Sequence, residues 1–203
     1  MTRAFLAALA VLVATSGCGD VVRAGRSPML LVVDSLQGAP GGGFGAGKFG
    51  NVLDSDVIVN LTSPAPCTQA APCPTYYGDS GQVTLHAVPK DVSITPTSNN
   101  AVTITRFHVD YVRADGHNTP GVDVPFGFDG SITGTVPPTG TVTMGFVLVR
   151  STAKIEAPLI QLVSNPQTID TLAQVTFYGT DQVGNAISAS ASMTVDFGNF
   201  GDQ

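Results

Sequence analysis

Residues 186–197 alternate without a break for twelve positions. Ile187, Ala189, Ala191, Met193, Val195 and Phe197 fall on one side, and Ser188, Ser190, Ser192, Thr194 and Asp196 on the other. An amphipathic helix repeats its apolar residues about every 3.6 positions, so a period of two specifies a strand with one face in water. Shorter runs of the same kind precede it, separated by Gly, Pro, Asn and Asp clusters. Residues 29–36 are apolar on both faces, and Val57, Val59 and Leu61 alternate with polar neighbours, as do Val83, Leu85 and Ala87. In residues 101–113 the apolar parity shifts between Ile104 and Phe107, the mark of a bulge. Residues 131–136, 141–150 and 173–180 complete the set, with Val142, Met144, Phe146 and Leu148 on one face and Val175 and Phe177 on another.

No stretch from Met29 onward carries helical periodicity, although residues 158–163 could make one turn before Pro166. About eight strands without alternating helices predict an all-β chain, an antiparallel β-sandwich of roughly seven to nine strands spanning residues 28–203 as one domain. Its architecture is Ig-like at most: tryptophan is absent, and Cys67 and Cys73 are too close in sequence to bridge two sheets as in antibody domains.

The N-terminus reads MTRAFLAALAVLVATSGCGD. Arg3 precedes an apolar run at 4–14, shorter than the roughly 20 residues a membrane-spanning helix needs but suited to a secretory signal peptide, here residues 1–17. Thr15-Ser16-Gly17-Cys18 resembles the lipobox of bacterial lipoproteins, with Thr15 where that family usually has an aliphatic residue. The resemblance implies a lipid on Cys18, a short tether over 18–27, and attachment to the cell envelope. Gly19 after the cysteine implies the outer membrane in a cell that has two. An ordinary signal peptide with an incidental Cys18 is the alternative.

Without Arg3 the chain has eight basic residues against fifteen acidic ones, a net charge of −7. That balance disfavours nucleic acid and electrostatic adhesion to anionic lipid, leaving the acyl chains to hold the membrane. Beyond Cys18 the cysteines are an even pair, Cys67 and Cys73, in the proline-rich loop 63–78. In an exported chain they predict a disulfide. The C-x5-C spacing, with no histidine nearby, does not suit a metal.

The segment VTFYGTDQVGNAISASASMTV resembles the closing hairpin of bacterial Ig-like extracellular domains through Asp181, Gly184 and Asn185. It covers about the last thirty residues. Gly184 and Asn185 suit the positive φ of a tight turn, and Asp181 can accept bonds from the turn amides.

The glycine-rich loop 38–50 contains Gly42-x4-Gly47-Lys48, the spacing of a phosphate-binding loop. Phe49 stands where that motif needs Ser or Thr, and no helix follows, so no nucleotide is expected. Phe44 and Phe49 read instead as contact residues. Tyr76 and Tyr77, beside the cysteine loop, are the other candidate contact surface. Fourteen of the fifteen acidic residues are Asp. Asp54, Asp56, Asp181 and the turn residues Asp115 and Asp129 could offer oxygens to calcium, but no calcium-loop motif joins them. His86, His108 and His117 are far apart, and there is no G-x-S-x-G elbow. No cofactor, metal or catalytic residue is predicted.

These readings converge on a membrane-anchored, non-catalytic binding or structural module of the cell envelope that contacts a protein partner. A carbohydrate-binding or adhesion module is the alternative and requires Tyr76, Tyr77, Tyr111 and Tyr178 to form an exposed strip. A small hydrolase would require a pocket with a histidine beside Ser or Asp.

Overall fold

A computed structural model describes residues 25–201. The signal peptide, Cys18 and most of the tether lie outside the described residues. The chain is all-β, with ten strands among the described residues, in chain order: β1 (Met29–Ala39), β2 (Val52–Asp56), β3 (Val59–Leu61), β4 (Cys73–Thr75), β5 (Asp79–Pro89), β6 (Val102–Val112), β7 (Phe128–Val136), β8 (Thr141–Val149), β9 (Ile169–Asp181) and β10 (Ala186–Gly198). A single helical turn, α1 (Ser151–Lys154), follows β8, and a 3₁₀ turn covers Leu159–Val163, where residues 158–163 suggested one.

The strands form a three-stranded sheet, β1-β5-β8, a five-stranded sheet, β2-β10-β9-β6-β7, and a small ribbon, β3-β4. The ribbon takes the count past nine, because three residues of the stretch expected as a loop, Cys73–Thr75, pair with β3. Pairing is antiparallel except between β2 and β10, which run parallel from Val52↔Thr194 to Gly198↔Asp56. Residues 57–61 are likewise not one strand. Val57 and Ile58 are buried between β2 and β3.

Alternation builds the core. Val83 and Leu85 of β5, Leu148 of β8, Val102, Ile104 and Val109 of β6, Val175 and Phe177 of β9, and Val195 and Phe197 of β10 all belong to one apolar cluster shared by the two larger sheets. Each such side chain contributes about 1.5–3 kcal/mol on leaving water. The parity shift in β6 is a register shift between Ile104 and Arg106 against both neighbours, β7 and β9. One extra residue there returns Phe107 and Val109 to the core face.

The turn from β9 to β10 is built around Asp181. Its Oδ1 accepts the amides of Val183 (3.1 Å) and Asn185 (2.8 Å), and its Oδ2 accepts Asn185 Nδ2 (2.8 Å). Burial pushes this carboxyl upward, but bonds from Asn185, Ser27 and the Val183 amide outweigh it and hold it below the usual aspartate range. Gly184 alone supplies the positive φ, at 86°, and Asn185 does not share it. Asp129 is also placed differently from expectation. It is no turn residue but lies within β7, opposite His108. The Phe128-Asp129-Gly130 start of that strand lacks the β-branched residues that would announce it.

Candidate functional site

The glycine-rich loop and the cysteine loop meet at one end of the molecule. Gly38 and Gly50 exchange two backbone bonds of 2.9 Å, and Gly47 N–H donates to the Pro40 carbonyl (2.9 Å), so the loop is closed at its base. A Cβ on Gly42 would stand 2.2 Å from the Tyr77 ring, and one on Gly41 2.0 Å from the Gly78 carbonyl oxygen. Glycine is what lets the two loops touch. Cys67 and Cys73 are joined by a disulfide, with Cα atoms 5.3 Å apart. Tyr76 and Tyr77 are half-buried, whereas Phe44 keeps 65% of its surface exposed and Phe49 41%.

Beneath these loops lies a pair of charges that sequence reasoning missed. Lys154 Nζ stands 2.9 Å from Asp79 Oδ2, and both side chains are only 1% exposed. Nζ also donates to Asp79 Oδ1 (3.1 Å) and to the Asp56 carbonyl (2.8 Å). Asp79 further accepts the Ser55 hydroxyl (2.6 Å) and the Gly41 amide (2.9 Å). Bonds of this number and geometry are what a buried ion pair needs to offset its desolvation. Through Gly41 the pair also pins the base of the exposed loop. Close by, the Tyr111 hydroxyl donates to the Leu148 carbonyl (2.7 Å). Burial, then the charge of Asp79, pushes that phenol far upward, against the opposing pull of Arg150.

A groove of about 620 Å³ opens beside the loops, between the edge strands β7 and β8. These strands are joined by residues 137–140 but belong to different sheets. Near that connection they are close: a Cβ on Gly134 would stand 2.1 Å from Met144 Sδ. Farther along, the nearly buried rings of Phe107, Phe128 and Phe146, each at most 8% exposed, close the bottom of the groove, and Phe49 reaches the rim. The Phe107 and Phe146 rings, one from each sheet, lie 5.0 Å apart, and Phe128 stands edge-on to Phe107. Arg150 lines the groove with its guanidinium carbon 4.5 Å from the Phe128 ring centre. Asp129, also in the lining, is engaged by Arg106 (3.0 Å) and His108 (3.3 Å).

The remaining candidates are dispersed. His86 Nδ1 lies 2.6 Å from Asp34, His108 Nε2 3.0 Å from Asp110, and His117 Nδ1 3.5 Å from Asp115. None of the three lines the groove. None of the four tyrosines is fully exposed. Tyr111 is buried, and Tyr178 lies under the Arg106 guanidinium at 4.1 Å. Asp54, Asp196 and Asp170 are direct neighbours across β2, β10 and β9. Among the described residues no group of three His, Cys, Asp or Glu side chains is arranged to hold a metal ion. No family model, no curated protein and no solved structure matches the chain.

Proposed function

We propose that this chain is an exported lipoprotein, anchored through Cys18, whose residues 28–203 form one Ig-like β-sandwich that acts as a non-catalytic binding module. In a cell with two membranes the outer one is its place. The loop end is the surface that meets a protein partner, with Phe44 and Phe49 as the leading contacts and Tyr76 and Tyr77 behind them. The observation that carries this reading is the exposure of Phe44 and Phe49 on a loop closed by backbone bonds and pinned to a buried ion pair. Two large apolar side chains held in water by a fixed loop gain free energy when a partner covers them. Pre-ordering also lowers the entropic cost of binding.

Two experiments test the parts separately. Globomycin should cause an unprocessed precursor to accumulate, and Cys18→Ala should release the protein from the membrane fraction. A wild-type protein already found soluble defeats the anchor. For the contact surface, a photo-crosslinking residue at position 44 or 49 should trap a discrete adduct in intact membranes. The same residue at 190, on the wet face of β10, should not. Equal adducts from all three positions, or none from the loop, defeat the surface.

A further inference from the structure

The groove between β7 and β8 has a chemistry that the loop surface lacks. Its floor is aromatic, and a glycine on the β8 side leaves it open. Gly145 of β8 presents no side chain to it, whereas the space over Gly130 of β7 is taken by the Phe107 ring. At one end stands Arg150. Among the described residues its guanidinium meets no carboxylate, and its buried Nε finds no hydrogen-bond acceptor. Three other cations of the fold are paired. Arg106 pairs with Asp129, Arg113 with Asp115, and Lys154 with Asp79. In a chain with a formal net charge of −6, acidic partners are plentiful, yet this cation faces an apolar groove without one. Its terminal nitrogens are the part that a ligand can reach.

We infer that this groove is a binding site for a monocarboxylate with an apolar tail, a fatty-acid-like anion whose carboxylate pairs with Arg150 and whose tail lies over Phe107, Phe128 and Phe146. A planar guanidinium offers a carboxylate two parallel N–H donors, the strongest neutral-pH match for that group. Its stacking on Phe128 holds it in place before the ligand arrives. A volume of about 620 Å³ falls within the roughly 300–1,000 Å³ of sites that hold small organic ligands, which are mostly apolar with a few placed polar groups. One cation suits one negative charge, and a phosphate ester would ask for more donors than the groove supplies. Asp129, the one acid in the lining, is already engaged by Arg106 and His108 and does not occupy Arg150. This site is independent of the protein-contact surface proposed above, and either can fail without the other.

The test uses the mature chain carrying Cys18→Ala, titrated with dodecanoate and with dodecanol below their aggregation limits. Binding is read by calorimetry and by amide NMR shifts. Dodecanoate should saturate at one per chain, shift the amides of Gly81, Gly130 and Gly145, and bind at least about tenfold more tightly than dodecanol. Arg150→Gln should erase that preference, weakening dodecanoate far more than dodecanol. Gly145→Leu should weaken both ligands. Gly145 lines the groove, and a Cβ there meets only the Gly81 carbonyl oxygen, at 3.9 Å, so an added side chain starts in open space. Non-saturable dodecanoate uptake, shifts confined to other amides, or an Arg150→Gln protein that keeps the preference would each overturn the inference.

Discussion

Phe107 stands directly opposite Gly130 in the β6–β7 pairing, and its ring lies where a Cβ at position 130 would project. The other sheet repeats the arrangement, with Phe146 opposite Gly81 and its ring over that glycine. An aromatic ring thus covers a bare stretch of neighbouring backbone on each side. The two rings then meet between the sheets to make the groove floor.

Gly130→Ala should therefore be costly for a change of one methyl group. The added Cβ would lie 2.2 Å from Phe107 Cζ, and the ring is hemmed in by Phe128 and Phe146. Overpacking of this kind costs about 1–3 kcal/mol. Urea unfolding should show a lower midpoint with an unchanged slope. Gly145→Ala is the contrast, since nothing opposes its Cβ. It should be neutral or raise stability by up to about 1 kcal/mol, through the reduced freedom of the unfolded chain.

Lys154→Met removes one member of a fully buried pair. Asp79 would remain as a buried carboxylate with only the Ser55 hydroxyl and the Gly41 amide as donors. Breaking such a pair costs about 3–5 kcal/mol. The double variant Lys154→Met with Asp79→Asn, which removes both charges, should recover part of that loss. With Asp79→Asn alone completing the cycle, a double variant whose loss equals the sum of the two single losses would show that the charges are not energetically coupled.

Asp196 makes stability depend on pH. Burial, then the negative charges of Asp170 and Asp54, raises its carboxyl above the ordinary 3.8. The folded state thus holds this proton more tightly than the unfolded one. Its stabilising contribution is complete below the ordinary value and is lost as pH rises through the elevated folded one. Asp196→Asn removes the repulsion between directly opposed like charges. It should stabilise the protein at neutral pH by a few tenths to about 1 kcal/mol. Thermal melts across pH should show that gain shrinking as Asp196 becomes protonated in the wild type.

Replacing both Cys67 and Cys73 by Ser opens a short closed loop, which should cost about 2–2.5 kcal/mol in the chain-entropy view. If the stapled loop supports the contact surface, crosslinking from position 44 should fall in parallel. Unchanged capture would confine the disulfide to stability.

Local signals in the sequence carried the features set by neighbouring residues. The alternation in β10, the extra residue in β6 and the Asp181 turn are of this kind, because strand period and turn chemistry act over a few residues. The disulfide partners are also close, six residues apart. What stayed hidden depends on distant chain meeting distant chain. Lys154 sits in Ser-Thr-Ala-Lys, where nothing local marks it for burial, and Asp79 lies 75 residues before it. Arg150 closes the strand run 141–150, and no local signal marks it further. Only the separation of β7 and β8 into different sheets puts it beside three phenylalanines. Phe49, read as a contact residue, also reaches the groove rim, a role that the loop's composition does not signal.

The parallel pairing of β2 with β10 imposes an order on assembly. Val52 finds its partner, Thr194, only after some 140 intervening residues have been made. Contacts this distant form late, because a long loop must close before they can reward the chain. In a polypeptide that emerges N-terminus first, β2 therefore waits as a lone strand while most of both sheets can already pair. Its sequence, Val-Leu-Asp-Ser-Asp, tempers that wait, since two aspartates in five residues make a poor template for a stray strand. β2 thus takes its place at the sheet edge only once β10, the tenth of the described strands, has been made.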